Sequence, residues 1–408
     1  MNKIIKYPFS QLYDMASGIS STKEQAGHGS PFVSFSTVFN NYFLPDALPD
    51  LMDTSIKEQE TYSIKEGDIL ITRTSETIDE LAMSCVAVKD YPRATYSGFT
   101  KRLRPKTAGI AYHKYLAFYL RSQLFRKAVT NNAFMTLRAS FNEDIFSFLN
   151  LYLPEYKEQV KIGDMLYSME QKIQLNKRIC AELEAMAKTL YNYWFTQFDF
   201  PDENGKPYRS SGGEMVWNDQ LKREIPKGWQ VSSIGSVTRN YDSKRVPLSQ
   251  NERDIMKGGI PYYGATGIMD YVNRHIFDGQ YVLIAEDGSV MDVKGNPIVQ
   301  MIWGKTWVNN HAHVLQGCNG YSNELLYLLL QHIPVVKIMT GSIQKKINQD
   351  NLNSYNIPQI PDPISQAFYE IVKPMFEKIQ SLQDENDELT KLRDWLLPVL
   401  MNGQATVE

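Results

Sequence analysis

Asp287, Asp292 and Lys294 are the residues whose types and spacing come nearest to catalysis. Two carboxylates followed by acid-x-Lys could hold Mg²⁺ and polarise a phosphodiester, as a stand-alone nuclease requires. Acid-x-Lys triplets also arise by chance, and the strand before this one is imperfect. His311-Ala312-His313 offers two ring nitrogens on alternate residues but no third ligand, so a structural role is the favoured reading and no metal site is assigned. The glycines of Gly258-Gly259-Ile260-Pro261-Tyr262-Tyr263-Gly264-Ala265-Thr266-Gly267 have no following Lys and read as a loop, not a phosphate cradle. No Ser/His/Asp or Cys/His arrangement can be proposed from spacing. The chain reads as non-catalytic, with no cofactor of its own.

What remains are polar and basic clusters suited to phosphates and base edges. The first half carries Lys101-Arg102-Leu103-Arg104, Arg121, Arg126-Lys127 and Thr136-Leu137-Arg138. The second carries Arg239, Lys244-Arg245, Tyr262-Tyr263 and Ser342-Ile343-Gln344-Lys345-Lys346. Taken singly, each cluster is read first as solvated surface; two globular parts with comparable clusters, held apart by long helices, favour DNA. Lys101, Arg102, Arg104, Lys345 and Lys346 are expected to meet phosphates. Arg138 and Gln344 hold corresponding places in the two halves and can form paired hydrogen bonds to guanine and adenine.

The elements that must position these groups come in two long units. The 408 residues suit two or three domains, and 43% apolar against 22% charged residues gives each a core. A net charge of −3 excludes a generally polycationic binder but leaves room for a local basic face. Cys85, Cys180 and Cys318 lie far apart, as in a reduced, cytoplasmic protein, and no signal peptide or membrane span is read. Residues 151–194 and 358–400 both open on a Pro-containing extended stretch, with Gln159 and Gln366 five residues after Pro154 and Pro361. Each then continues helically with few Gly or Pro.

A 4-3 spacing selects Ile162, Leu166, Met169, Ile173, Asn176, Cys180, Leu183, Ala187, Leu190 and Trp194. The same frame about 206 residues later selects Phe368, Val372, Met375, Ile379, Leu382, Asn386, Leu389, Arg393, Leu396 and Leu400. Sustained over four heptads, this predicts a coiled-coil seam between helices roughly 60 Å long. Two unrelated helices, each docked on its own domain, are the alternative. Pro374 is expected to kink the second helix or to mark where regular helix begins. Beside the seams run Met165, Ile179, Met186 and Tyr193, and Ile371, Leu392 and Val399, a wider apolar face that needs a third surface.

Both globular parts read as mixed α/β with short strands, and Gly67 and Gly279 each feed an apolar run. Short helices are expected over 111–129 and 322–332. The expected organisation is a first globular domain at 1–150, a long helix at 151–198, a Pro/Gly/Ser-rich linker at 199–215, a second globular domain at 216–357, a second long helix at 358–402 and a tail at 403–408. The last segment, residues 361–408, carries 4 basic and 9 acidic residues and is a poor phosphate surface.

This plan resembles the specificity subunit of type I restriction-modification systems over essentially the whole chain. Leu151-Tyr152-Leu153-Pro154-Glu155-Tyr156-Lys157-Glu158-Gln159 is similar to the family's helix lead-in. Leu190-Tyr191-Asn192-Tyr193-Trp194-Phe195-Thr196-Gln197-Phe198 is similar to its helix end. Gly213-Glu214-Met215-Val216-Trp217 and Arg223-Glu224-Ile225-Pro226-Lys227-Gly228-Trp229 resemble the approach to its second recognition domain. Pro361-Asp362-Pro363-Ile364-Ser365-Gln366 departs by lacking the Glu.

The resemblance implies an α+β chain with two target recognition domains, separated by two antiparallel coiled-coil helices in a pseudo-two-fold repeat. Each domain would read one half of an asymmetric bipartite sequence on double-stranded DNA. The helices would dock two modification subunits that carry S-adenosylmethionine and methylate adenine at N6. Restriction subunits using ATP and Mg would join that core as translocase and nuclease. A stand-alone nuclease and a coiled-coil scaffold that ignores DNA stay open beside this reading.

Overall fold

A computed structural model describes residues 4–75, 77, 80–132, 139–341 and 345–407. Arg138 and Gln344, with Thr136, Leu137, Ser342 and Ile343, lie outside the described residues. The chain forms two compact units, residues 1–175 with 385–408, and residues 176–384. Each unit contains a mixed α/β body and part of each long helix.

In the first unit a four-stranded antiparallel sheet has the order Tyr13–Ser17, Thr100–Pro105, Ile69–Thr72, Ser84–Val86. Ile69, Leu70 and Ile71 are buried on both faces, which is why their apolar run does not alternate. A second sheet orders Asp50–Met52, Ala26–Val33 and Thr95–Tyr96, the last pair parallel. Short helices His113–Tyr119 and Gln123–Asn132 cover the first sheet and divide the single helix expected there. The core joins Phe9, Tyr115, Phe118 and Phe141 to Ile162, Leu166 and Leu400 of the long helices.

The second unit repeats this plan. Its main sheet has the order Thr238–Asn240, Ala312–Gly317, Tyr281–Ala285, Val299–Ile302. Its other sheet pairs Lys257–Tyr263 with Ile268–Val272 antiparallel and with Lys305–Val308 parallel. The helix expected near 322–332 spans Asn323–Gln331, capped by Ser322. Asn142 caps Glu143–Phe148 and Asn348 caps Gln349–Ser354 in the same way, each accepting from the backbone N–H three residues on.

The long helices span Tyr156–Tyr191 and Asp362–Met401. They run antiparallel inside each unit. Glu170 meets Arg393 in the first unit. In the second, Cys180 faces Ile379 and Trp194 faces Phe368. Seam residues Ile162, Leu166, Ile173, Cys180, Ala187, Trp194, Phe368, Val372, Ile379 and Leu382 are buried. Phe376 joins them although the 4-3 frame passes over it. Regular helix begins at Asp362, twelve residues before Pro374, so that proline does not mark its start. Pro374 faces solvent, where water can satisfy the carbonyl left without an N–H partner.

Gln159 explains the first helix's lead-in. It is buried, with Nε2 donating to the carbonyls of Ile110 and Pro154 at 2.9 Å each, and Oε1 accepting from Tyr112 N at 2.9 Å. One turn on, Gly163 lets the helix approach: a Cβ there would lie 2.7 Å from Tyr115 N. The expected counterpart, Gln366, is exposed and bonds Glu370. Ser365 takes the buried place instead, its Oγ donating to Gly320 O at 2.5 Å.

The stretch read as a linker is folded. Phe200 stacks on Tyr208 and Trp229 at 4.9 and 5.3 Å, and the Asp199 carboxylate accepts from Ser210 N and Oγ at 2.7 and 2.6 Å.

Candidate nucleic-acid interface

In the first unit, strand alternation separates the Lys-Arg-Leu-Arg run into two faces. Arg102 is 9% exposed and donates to Ser63 O at 2.5 Å, with its guanidinium over the Tyr96 ring. Arg104 makes a bidentate pair with the buried Asp68 at 2.8 and 2.6 Å and also reaches Ser63 O. These bonds occupy both guanidinium groups inside the domain. Lys101 lies on the opposite face and donates to Ser17 Oγ at 2.8 Å. Burial and the neighbouring Arg73 lower its pKa. Arg121 is also structural, donating to the carbonyls of Ser84, Val38, Phe39 and Asn41.

In the second unit, Tyr262 is buried and its hydroxyl accepts from Leu248 N at 2.9 Å, whereas Tyr263 is half-buried. Lys345 is half-buried and Lys346 exposed, next to the undescribed 342–344. Lys346 pairs with Glu286 at 2.9 Å, which raises the lysine's pKa. Glu286 also takes Arg245 at 2.7 Å. Burial works against its ionisation, but the bonds from Arg245 and Lys346 hold its carboxyl below the usual range.

Asp242, Glu286 and His313 are the metal-capable side chains that converge among the described residues. His313 Nδ1 faces Asp242 at 2.5 Å and Nε2 faces Ile347 O at 2.8 Å. A carbonyl oxygen only accepts, so Nε2 carries a hydrogen there and offers no lone pair. A divalent cation would also have to displace Arg245 and Lys346 from Glu286. The cluster is an internal charge network. His311 turns instead to Asp287 at 2.6 Å, so the two histidines do not share a ligand.

Nor does the carboxylate–lysine arrangement of a nuclease form. Asp287 is engaged by His311, and Asp292 Oδ1 accepts from Lys294 N and Asn296 N at 2.8 and 2.9 Å, closing its own turn.

On the long helices, Met186, Tyr193, Ile371 and Leu392 are exposed. Met165 and Ile179 are half-buried against the cores, and Val399 is half-buried. The seam pattern passed over Trp395, which is 68% exposed one turn from Leu392. Arg73 and Phe99 also escaped notice, because each stands outside a basic run. The signal for Arg73 was its place, directly after the strand that follows Gly67, matching Glu286 after the strand that follows Gly279.

A profile of the type I restriction modification DNA specificity domain matches residues 11–185 and again 226–391. The chain belongs to that family. It is a specificity subunit of a type I restriction-modification system, and its two matched domains correspond to two-part recognition. The MjaIX specificity subunit of Methanocaldococcus jannaschii is 25% identical, covering 88% of this chain and 82% of that one. The HindI specificity subunit of Haemophilus influenzae is 23% identical over 91% of this chain and 94% of its own. The crystal structure of the S subunit from M. genitalium shares the fold with a TM-score of 0.57 at 15% identity, covering 98% of this chain and 96% of that one. Specificity subunits of this family are non-catalytic, and neither a lone nuclease nor a DNA-blind scaffold accords with the match. Among the described residues, no helix is long and apolar enough to cross a membrane.

Proposed function

We propose that each unit reads one half of an asymmetric bipartite DNA target. The observation that supports this is one sheet plan built twice with different side chains at matching places. Ser17, Arg73 and Lys101 stand in the first where Asp242, Glu286 and His313 stand in the second. Two readers of the same geometry and different chemistry select different half-sites. Lys101 and Lys345 meet phosphates, whereas Lys346 is taken up by Glu286; Tyr263 contacts the DNA, and Arg138 and Gln344, outside the described residues, read base edges.

The exposed helix residues Met186, Tyr193, Ile371 and Leu392 dock two modification subunits, with Met165, Ile179 and Val399 completing the apolar surface. Those partners carry S-adenosylmethionine and methylate adenine at N6. Restriction subunits supply ATP-driven translocation and Mg-dependent cleavage, in the cytoplasm. The test is methylation mapping in a host that expresses this chain with its modification subunit. Replacing residues 1–150 by another member's first domain changes one half of the methylated motif. A change in both halves refutes the two-reader assignment.

A further inference from the structure

The repeat places one spot at the same backbone position in both units. In the first, Ile71 pairs with Lys101, Arg73 N donates to Phe99 O at 2.8 Å, and Phe141 N donates to Arg73 O at 2.7 Å. In the second, Ile284 pairs with His313, Glu286 N donates to His311 O at 2.9 Å, and Ile347 N donates to Glu286 O at 2.8 Å. The backbone bonds match one for one. The charges do not.

The second unit fills its spot from within. Glu286 and Asp242 face Arg245, Lys346 and His313 at 2.5–3.6 Å. The first unit puts two cations, Arg73 and Lys101, into the equivalent place, where Lys101 Nζ reaches only the Ser17 hydroxyl and, among the described residues, no acid pairs with either. Burial, and after it the like charge of Arg73, lowers the pKa of Lys101, while Glu143 works the other way. Ser17 presents a hydroxyl beside them.

Phe99 stands next to this pair, 66% exposed. Its mobility is limited by a tight backbone: Phe99 N donates to Ser97 Oγ, Thr100 Oγ1 to Ser97 O, and Gly98 N to Ile19 O. An exposed aromatic on a constrained backbone, beside two cations that lack an ion-pair partner among the described residues, matches the two faces of a nucleotide, an anionic phosphate and an apolar sugar edge.

Resting on the two-reader assignment, we propose that Arg73 and Lys101 clamp one backbone phosphate of the DNA, with Phe99 packed on the adjoining deoxyribose. The matching spot of the second unit is self-neutralised and takes none. The two half-sites are therefore held with unequal electrostatic grip, the first domain carrying more of the salt-dependent affinity.

The test uses the full chain assembled with its modification subunits and measures duplex binding across a range of KCl. Arg73→Gln and Lys101→Gln each lower the magnitude of the log–log salt slope by about 0.9 and weaken all sequences alike. Arg73→Lys keeps the slope. Phe99→Ala weakens binding with the slope unchanged, and Glu286→Gln leaves the slope near wild type or raises it by freeing Lys346. Melting curves confirm that the variants are folded.

An unchanged slope in both charge-removing variants, or an equal loss in Arg73→Lys, overturns the clamp. If the wild-type complex binds no DNA, the two-reader assignment itself fails, which separates the two ideas.

Discussion

Arg393 donates from Nη1 to Glu170 Oε2 at 2.9 Å across 223 residues of sequence. The pair sits within the antiparallel seam of the first unit, with both side chains largely covered and the guanidinium over the Tyr42 ring at 5.0 Å. An arginine at a seam position is thereby matched by an acid on the facing helix. Removing Glu170 leaves the covered guanidinium with Asp394 alone, and removing Arg393 leaves the covered carboxylate with Gln174 alone. Arg393→Ala or Glu170→Ala is expected to cost about 3 kcal/mol, read by denaturant unfolding. Replacing both by Leu should recover most of that loss, and a double substitution as damaging as the sum of the singles would refute the pairing.

Gln159 holds the start of the first long helix against the strand–helix corner at Ile110 and Tyr112. Gln159→Ala takes the side-chain partner from two carbonyls, Ile110 and Pro154, and from one amide, Tyr112. A loss of about 2 kcal/mol is expected. Hydrogen exchange at Tyr112 N should accelerate more than exchange in the second unit. Gln366→Ala, at the exposed place beside Ser365, should change stability by less than about 0.5 kcal/mol.

The carboxyls of Asp242 and Glu286 both titrate below their ordinary values of 3.8 and 4.5. Burial opposes this. The bonds from His313 and from Val314 N win at Asp242, and those from Arg245 and Lys346 win at Glu286. A depressed carboxyl contributes stability that is complete above its unfolded pKa and lost as pH falls through its folded value. The second unit should therefore hold its stability from neutrality to about pH 4.5 and lose it below. Asp242→Asn should flatten that acid limb, as followed by thermal melts at stepped pH.

The helices share one seam register, so they can act as a ruler for the unspecified bases between half-sites. Adding four residues after Leu175 and four after Asp384 lengthens both by about 6 Å while keeping each unit's seam intact. The methylated motif should then show a longer spacer, or methylation should cease. An unchanged spacer at full activity would exclude the ruler.

Much of the architecture was open to the sequence because it rests on periodicity. The seam and the apolar strand that follows Gly67 and Gly279 each follow from local spacing. Interior partners were not legible. The basic run at 101–104 looks like one patch, yet alternate residues face opposite ways, and Arg102 and Arg104 close on Ser63 and Asp68, far away in sequence. The Pro, Gly and Ser of 199–215 suggest a linker until Phe200 finds Tyr208 and Trp229. Gln366 matched Gln159 by letter, but burial favours Ser365, one residue earlier. Arg73 stands alone in the sequence and gains meaning only beside Lys101.

The order of synthesis follows from how the units are assembled. The second unit is one contiguous stretch, residues 176–384, and can close while the ribosome is still translating. The first unit leaves the ribosome earlier but lacks Leu400 and Met401 of its core until residues 385–408 emerge. A message cut short before that point yields a finished second reader tethered to an open first one, which exposes apolar surface to chaperones and proteases. Residues 385–408 thus tie completion of the first domain to a late part of the chain, and insertions there should disturb the first half-site rather than the second.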